Sequence, residues 1–352
     1  MKKICPFGTH RVIAPNGALP QSSDQLDNTM ICQKNEILID VLTLNIDSAS
    51  FAQIKSSCDN DEVKIKEMII SIVSKRGKMQ NPITGSGGML LGTVSEIGSD
   101  LQVDLKKGDK IVTLVSLSLT PLKIDQIIKL HLDKDQVDII GQAILFQSGI
   151  YAKIPNDLPA DIVLSALDVA GAPAQVEKLV QPGNDVLIIG AGGKSGLLCA
   201  YQARKSVGIH GHVYGLIYDI SELEDLKSLS VCDEIIIADA RIPMNVYDLV
   251  LNASEGRKMD VTINVVNVPN TEMASILPTK DNGIVYFFGM ATSFSKAALG
   301  AEGIKSEATM MIGNGYTKNH DQLTLNLLRE SKILYDLFKK RYGSRDYHVK
   351  TQ

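Results

Sequence analysis

The stretch Asp185–Leu198, DVLIIGAGGKSGLL, decides the fold. An apolar run ends in a cluster of glycines, and a second apolar run follows directly, as where a strand turns into a helix. Gly190 and Gly192 supply the first two glycines of G-x-G-x-x-G, which binds a dinucleotide pyrophosphate at a helix N-terminus. Ser195 stands at the sixth position, and Gly196 follows one residue late. The predicted cofactor contacts in this turn are Gly190, Gly192, Gly193, Lys194, Ser195 and Gly196.

Two other interpretations of the same turn remain open. Gly193-Lys194-Ser195 matches the end of the P-loop pattern G-x-x-x-x-G-K-[ST], but Ile188 stands where that pattern needs its first glycine. The turn could also be an ordinary glycine-rich connection without a ligand. The surrounding sequence has to decide between the three.

Length and composition limit the possible classes of protein. The chain has 352 residues, a net charge of −4 and 44% hydrophobic residues, which predicts about two globular domains and no nucleic-acid or anionic-membrane partner. No apolar run approaches the roughly 20 residues that cross a bilayer, and the first residues, MKKICPFGTHRV, lack the apolar core of a signal peptide. Five scattered cysteines without a C-x-x-C pair fit a reduced compartment. We expect a cytoplasmic protein.

The pattern of apolar residues differs between the two parts of the chain. Before Pro159 it predicts mostly strands, with one at 36–46 and others at 87–100 and 105–117, and a helix at 61–75. From residue 160 onward helices alternate with continuously apolar strands, as in a doubly wound parallel sheet. We predict an α/β protein with one domain at 1–158 and a dinucleotide-binding domain at 159–352. Single helices are expected at 160–180 and 320–341.

Three residues at the ends of later strands are further cofactor candidates. Asp219 closes the second strand of the alternating part, about 20 residues after the turn, where an acid bonds the ribose 2′-hydroxyl. The alternative is that Asp219 only caps the next helix. Because no Arg or Lys follows Asp219 before Lys227, the sequence favours NAD over NADP. Asn267 and Met290 follow the fourth and fifth strands and are expected beside the nicotinamide.

Longer stretches resemble the medium-chain dehydrogenase/reductase superfamily. They are NEILIDVLTLNIDSASF (35–51), GGMLLGTVSEIGSDLQVDLKKGDKIVTL (87–114), YAKIPNDLP (151–159) and QPGNDVLIIGAGG (181–193). This resemblance implies an N-terminal GroES-like β-domain followed by a Rossmann domain. Zinc-dependent members carry a Cys after the first stretch and a His-Glu pair before the second, but here these segments read NIDSASFAQI and NPITGSGGMLLG. The resemblance therefore implies a member without zinc, and no metal site is predicted.

A narrower resemblance is to the L-erythro-3,5-diaminohexanoate dehydrogenase family. It rests on CPFGTHRVI (5–13), GKMQNPITGSGGML (77–90), NVVNVPNTEM (264–273) and MATSFSKAALGAEG (290–303), among others. That family implies NAD-dependent oxidative deamination of the diamino acid to 5-amino-3-oxohexanoate and ammonia, in anaerobic lysine fermentation. It brings no established catalytic residues to this sequence.

Roles in the substrate site have to come from chemistry. A neutral amine can release hydride without a Lewis acid, so the site needs a general base. We predict Asp47 as this base, because it lies where zinc relatives place metal-site residues, with His10 as the alternative. Arg11 is predicted to bind the substrate carboxylate, and Asp168, within an apolar helix, the 5-ammonium group.

Two rival functions stay open from the sequence. The absence of zinc ligands also fits a quinone or enoyl reductase that uses NAD(P)H. A protein that only binds or senses a nucleotide is the non-enzymatic alternative. The superfamily resemblance further implies a homodimer.

Overall fold

The computed structural model describes residues 4–313 and 315–343, and these divide into two compact units between Asp168 and Val169. The sequence predicted a boundary between residues 158 and 159. The helix Ala160–Leu167 instead groups with the first unit, because its residues 161–167 are all buried there and it packs on the strand Met89–Ile97.

The first unit is built on an antiparallel sheet. The strands of this unit are β1 (Val12–Ala14), β2 (Gln25–Leu26), β3 (Glu36–Asn45), β4 (Met89–Ile97), β5 (Lys110–Thr113), β6 (Leu122–His131), β7 (Gln136–Phe146) and β8 (Tyr151–Lys153). β1 pairs with β2, and the others follow the order β6-β7-β3-β4-β5-β8. The predicted strand at 36–46 is β3, at the centre of this sheet. The mostly β character predicted for the N-terminal part is confirmed.

Among the described residues of this unit, three α-helices occur: α1 (Ser48–Ser57), α2 (Glu62–Arg76) and α3 (Ala160–Leu167). α2 begins where Asp61 accepts hydrogen bonds from the amides of Val63 and Lys64, and it ends at Gly77, whose φ of +67° favours glycine. Its buried face carries Ile65 and Ile69, whereas Val63 is exposed.

The second unit is a parallel sheet with helices between its strands. The strands are β9 (Asp185–Ile189), β10 (His212–Ile217), β11 (Glu234–Ile237), β12 (Met259–Asn264), β13 (Thr279–Phe287) and β14 (Thr309–Ile312). The helices are α4 (Gly171–Leu179), α5 (Lys194–Val207), α6 (Leu223–Leu229), α7 (Pro243–Ala253), α8 (Glu272–Ile276), α9 (Phe294–Gly303), α10 (His320–Glu330) and α11 (Lys332–Tyr342). The order β11-β10-β9-β12-β13-β14 runs in opposite directions on the two sides of β9. This confirms the predicted Rossmann topology and puts its ligand crevice at the carboxyl end of β9.

Two predicted long helices are each divided. The segment 160–180 forms α3 and α4, because a continuous helix would bring the ring of Pro173 against the carbonyl four residues earlier; after the break, Pro173 lies in the first turn of α4. The segment 320–341 breaks at Ser331, whose backbone is extended and whose hydroxyl accepts a hydrogen bond from the amide of Leu334. Ser331 thereby caps α11.

No helix among the described residues is long and apolar enough to span a membrane.

Candidate functional site

The glycine turn between β9 and α5 needs glycine at its first position for two reasons. Gly190 has a φ of +90°, and a Cβ there would lie 2.5 Å from Cγ1 of Val266, in the loop after β12. The amides of Gly190 and Ala191 both donate to the carbonyl of Leu216 in β10, at 2.9 and 3.0 Å. The turn is therefore fixed against both neighbouring strands.

Gly196 has the packing role of the third glycine in the dinucleotide pattern. A Cβ on Gly196 would lie 2.0 Å from the carbonyl oxygen of Gly190, so any side chain would push helix α5 off the turn. The sequence pattern gave this position to Ser195, and the structure corrects it by one residue. At Gly193, by contrast, a Cβ would have no neighbour closer than 3.6 Å, so this part of the turn is open.

Helix α5 begins at Lys194, with Gly193 as its N-cap, and its first intrahelical bond runs from the Leu197 amide to the Gly193 carbonyl. The first-turn amides of a helix have no carbonyl partner within the helix, and the helix dipole adds positive potential there. Lys194 and Ser195 are partly exposed in that first turn. An open glycine backbone at a helix N-terminus fits the pyrophosphate of a dinucleotide.

Two carboxylates lie at the carboxyl end of β10. Asp219 is exposed and caps a short 3₁₀ helix by accepting from the Ser221 amide at 2.8 Å; these hydrogen bonds lower the pKa of Asp219. Glu222, one turn later, lies against the glycine turn, where a Cβ on Gly192 would be 2.6 Å from its Oε2. Burial raises the pKa of Glu222. The sequence pattern, which looks for an acid at the strand end, identified Asp219 and missed Glu222.

The loops after β12 and β13 meet at the same edge of the sheet. A Cβ on Gly289 would lie 2.1 Å from the carbonyl oxygen of Val266, so the two loops are in close contact. Their neighbours Asn267 and Met290 are exposed. The structure thus brings both predicted residues to the edge of the sheet that carries the glycine turn.

In the first unit, Asp47 lies between β3 and α1. Its Oδ1 accepts from the Ser50 amide at 3.0 Å, which caps α1, and its Oδ2 accepts from the Ser86 hydroxyl at 2.8 Å. Ser86 can reach Asp47 because Gly88, with a φ of +100°, lets the loop approach β3; a Cβ there would lie 2.0 Å from the Asn45 carbonyl oxygen.

Three hydroxyls, those of Ser50, Thr84 and Ser86, form what we call the hydroxyl cluster. The Ser50 Oγ lies 2.6 Å from Thr84 Oγ1 and 2.9 Å from Ser86 Oγ. Each hydroxyl has one proton to donate. Since Ser86 donates to Asp47, Ser50 donates to Ser86, and Thr84 donates to Ser50. The chain of donors runs from Thr84 to the carboxylate, a set of residues that the sequence analysis did not single out.

The side chains of Arg11 and His10 are held by hydrogen bonds within the fold. This corrects the predicted roles of Arg11 as a carboxylate contact and of His10 as a base. Arg11 is buried, and its Nε and Nη2 donate to Glu36 at 2.8 and 2.6 Å, while its Nη1 and Nη2 also donate to the carbonyls of Thr29 and Ile31. The Nε2 of His10 is 2.8 Å from Glu36 Oε1, and its Nδ1 accepts from the Cys5 amide. Because these ring nitrogens and the guanidinium are already bonded, we do not retain Arg11 as a carboxylate contact or His10 as a base.

Asp168 ends helix α3 instead of interrupting a longer helix, and it is partly buried. Its predicted contact with an ammonium group stays a prediction. Within residues 4–313 and 315–343, no cluster of three or more His, Cys, Asp or Glu side chains could hold a metal ion.

Known proteins resemble this chain along most of its length. Residues 10–155 match the family model of the L-erythro-3,5-diaminohexanoate dehydrogenase N-terminal domain. The L-erythro-3,5-diaminohexanoate dehydrogenase of Acetoanaerobium sticklandii is 56% identical over 342 residues, covering 97% of this chain and 99% of that protein. The chain belongs to this family. The enzyme of the same name from Fusobacterium nucleatum subsp. nucleatum is 57% identical over 344 residues, covering 97% of this chain and all of that one.

Solved structures show the fold of the family at lower similarity. An alcohol dehydrogenase from Thermotoga maritima has a TM-score of 0.55 at 15% identity, covering 87% of this chain and 85% of that one. The CurK enoyl reductase gives 0.54 at 16%, covering 88% and 82%. Escherichia coli quinone oxidoreductase, solved with NADPH, gives 0.50 at 15%, covering 88% and 82%. These matches support the two-domain dehydrogenase/reductase fold.

Proposed function

We propose that this chain is an NAD-dependent amine dehydrogenase that oxidatively deaminates L-erythro-3,5-diaminohexanoate to 5-amino-3-oxohexanoate and ammonia, in anaerobic lysine fermentation. The observation that carries the proposal is the 56–57% identity, over 97% of the chain, to two enzymes named for this substrate. The glycine turn supports it, because its open backbone at the start of α5 fits a dinucleotide.

Two charge arrangements support NAD over NADP. Glu222 lies against the turn, and Asp219 caps the short 3₁₀ helix that contains Glu222; carboxylates at these two positions disfavour the extra phosphate of NADP on the adenosine ribose. Arg241 follows β11, the strand next to β10, and its guanidinium could bind such a phosphate. It is instead held by Asp239, at 2.9 Å from Nε to Oδ1 and 2.7 Å from Nη2 to Oδ2.

For this reaction, the residues of this chain have to bind the cofactor and transfer a proton away from the substrate. A bound nicotinamide would supply the hydride acceptor for carbon 3 of the substrate, and water would convert the resulting iminium to the ketone and ammonia. Gly190, Gly192, Gly193 and the α5 N-terminus would hold the pyrophosphate, with Asp219 or Glu222 at the ribose. Asn267 and Met290 would line the nicotinamide side.

Asp47 is the proposed base. The reacting ammonium group has to lose a proton before hydride can leave, and aliphatic ammonium groups have a pKa near 10. The hydroxyl cluster gives that proton a route: Thr84 Oγ1 accepts it, each hydroxyl passes its own proton to the next, and Asp47 receives the last one. A hydroxyl chain of this kind keeps the carboxylate out of direct contact with the ammonium group, whose deprotonation a nearby negative charge would oppose. Asp168 remains our proposed anchor for the 5-ammonium group.

The deciding experiment incubates the protein with NAD and L-erythro-3,5-diaminohexanoate and follows NADH and ammonia together. We expect equal amounts of both. NADPH consumption with a quinone or an enoyl thioester, without activity on the diamino acid, would instead support the reductase alternative. NAD binding with no turnover of any of these substrates would support a nucleotide-binding protein.

We also propose a homodimer in the cytoplasm. The strand β14 forms one edge of the parallel sheet and carries the exposed Ile312, and open edges of this kind pair readily with a second chain. The five cysteines are free thiols, which fits a reducing compartment. Light scattering after gel filtration tests the dimer, and a single monomeric species at micromolar concentration would contradict it.

A further inference from the structure

The end of the C-terminal helix α11 contacts the glycine turn, a contact that the dinucleotide pattern does not require. The Nη1 of Arg341 donates to the carbonyl oxygen of Gly192 at 2.6 Å. The same guanidinium donates to Oδ2 of Asp225, in the first turn of α6, from Nε at 3.1 Å and Nη2 at 2.7 Å. Lys340 donates to Oδ1 of Asp225 at 2.9 Å. We call Asp225, Lys340 and Arg341 the C-terminal clamp.

Burial and hydrogen bonds to Asp225 keep the side chain of Arg341 in a fixed position. Arg341 and Asp225 are both mostly buried, with side chains 20% and 18% exposed, and the hydrogen bonds from Arg341 and Lys340 hold the pKa of Asp225 below its usual value despite its burial. A guanidinium fork can bond a carboxylate and a carbonyl at the same time, which an ammonium group does less well. Asp225 therefore fixes the direction in which Arg341 points.

The orientation of the peptide group between Gly192 and Gly193 depends on hydrogen bonds of this kind. Glycine is conformationally free, and residue 192 cannot carry a side chain of its own because Glu222 occupies that space. The Gly193 amide donates to the Gly190 carbonyl at 3.2 Å, and the Gly192 carbonyl accepts from Arg341. Because both groups belong to one planar peptide, these two bonds set its orientation.

We propose that Arg341 is a positioning residue for cofactor binding: it holds the Gly192 carbonyl to itself, so that this oxygen is not offered to the bound pyrophosphate. This inference rests on the proposed dinucleotide-binding function. A carbonyl oxygen that turned toward the phosphates would repel them, and a mobile turn would have to be ordered on binding. Arg341 removes both costs before the cofactor arrives.

The test compares Arg341→Ala and Arg341→Lys with Lys332→Ala as the matched control. Lys332 lies at the other end of α11, where it is exposed and pairs only with Asp336 in the hydrogen bonds and ion pairs of the described residues. The first measurement is hydrogen exchange of the amides at 190–196 without cofactor. We expect faster exchange in Arg341→Ala, an intermediate rate in Arg341→Lys and no change in Lys332→Ala.

The second measurement is the Kd for NAD by calorimetry. Loss of one charge-assisted hydrogen bond predicts a roughly tenfold weaker Kd for Arg341→Ala, with kcat at saturating NAD largely retained. Unchanged exchange and unchanged Kd, together with a lower Tm, would show that Arg341 only docks α11 and would overturn the inference. Faster exchange in Arg341→Ala, in a protein whose wild type binds no dinucleotide, would show that Arg341 orders the turn but would contradict the proposed function and, with it, a role in cofactor binding.

Discussion

Two carboxylates of the first unit, Glu36 and Asp47, lie at opposite ends of β3 and have opposite surroundings. Glu36 is fully buried and bonded to the Arg11 guanidinium, the His10 ring and the Gln33 amide. Asp47 is partly exposed and bonded to an amide and a hydroxyl, neither of which is charged. The first carboxylate completes a closed, charge-balanced network, whereas the second ends a chain of hydroxyls. A carboxylate bonded to a buried guanidinium stabilises a fold, and one that ends a hydroxyl chain can still take up a proton.

The largest expected effect that tests this comparison is on stability. Glu36→Gln leaves Arg11 buried without its counter-charge, which costs about 3–5 kcal/mol of unfolding free energy. Asp125→Asn is the control, because Asp125 forms an exposed pair with Lys123, and such pairs contribute little. Denaturant unfolding measures both. Equal, small losses in the two variants would mean that the Glu36 network is not a stabilising core element.

Lowering the pH should remove the stability that Glu36 contributes through its bonds to Arg11 and His10. Hydrogen bonds from His10 and Arg11 outweigh the burial of Glu36 and lower its pKa to about 2 in the folded chain. Because the folded pKa lies below the unfolded one, this stabilisation is fully present above about pH 4.5 and is lost as the pH falls toward 2, amounting to about 3 kcal/mol. Unfolding free energies of wild type and Glu36→Gln should therefore converge with acidification. A constant difference between them would contradict this assignment.

Asp47→Asn should separate catalysis from stability. Asparagine still caps a helix, so the unfolding free energy should change by only a few tenths of a kcal/mol. Loss of the proposed base should lower kcat about 100-fold and flatten the rise of kcat with pH that we expect from deprotonation of the substrate ammonium group. Asp61→Asn is the matched control, because Asp61 caps α2 in the same unit through the amides of Val63 and Lys64. A near-normal kcat with the wild-type pH profile would place the base elsewhere.

The smallest expected effect concerns Arg11→Lys. A lysine keeps the charge but cannot reproduce the two-nitrogen contact with Glu36, so we expect a stability loss of about 2 kcal/mol. Because Arg11 is buried away from solvent, kcat/KM per folded molecule should stay unchanged. A lower kcat/KM for the diamino acid at unchanged stability would restore the carboxylate-binding role that the sequence suggested.

Local sequence was sufficient wherever the physical cause is local. The apolar run at 185–189 and the glycines after it identified β9, the turn and α5, since strand patterning and glycine turn chemistry act over a few residues. The alternation that follows fixed the parallel, doubly wound sheet. Helix breaks were harder to predict: the pattern at 160–180 is apolar throughout, and only the position of Pro173 and the burial of α3 in the first unit separate α3 from α4.

What the sequence by itself determined was the two-domain α/β architecture, the location of the glycine turn between β9 and α5, and the resemblance to a dehydrogenase family. The tertiary structure alone decided which charged side chains are already bonded and which remain accessible. From the sequence, Arg11 could bind a substrate anion. In the structure, its guanidinium is already bonded to the carboxylate of Glu36, which comes from a distant segment. The same holds for the contacts of Glu222, the hydroxyl cluster and Arg341, each of which joins segments that lie apart in the sequence. Burial and hydrogen-bond partners arise from long-range packing, and a residue's chemistry depends on them as much as on its type.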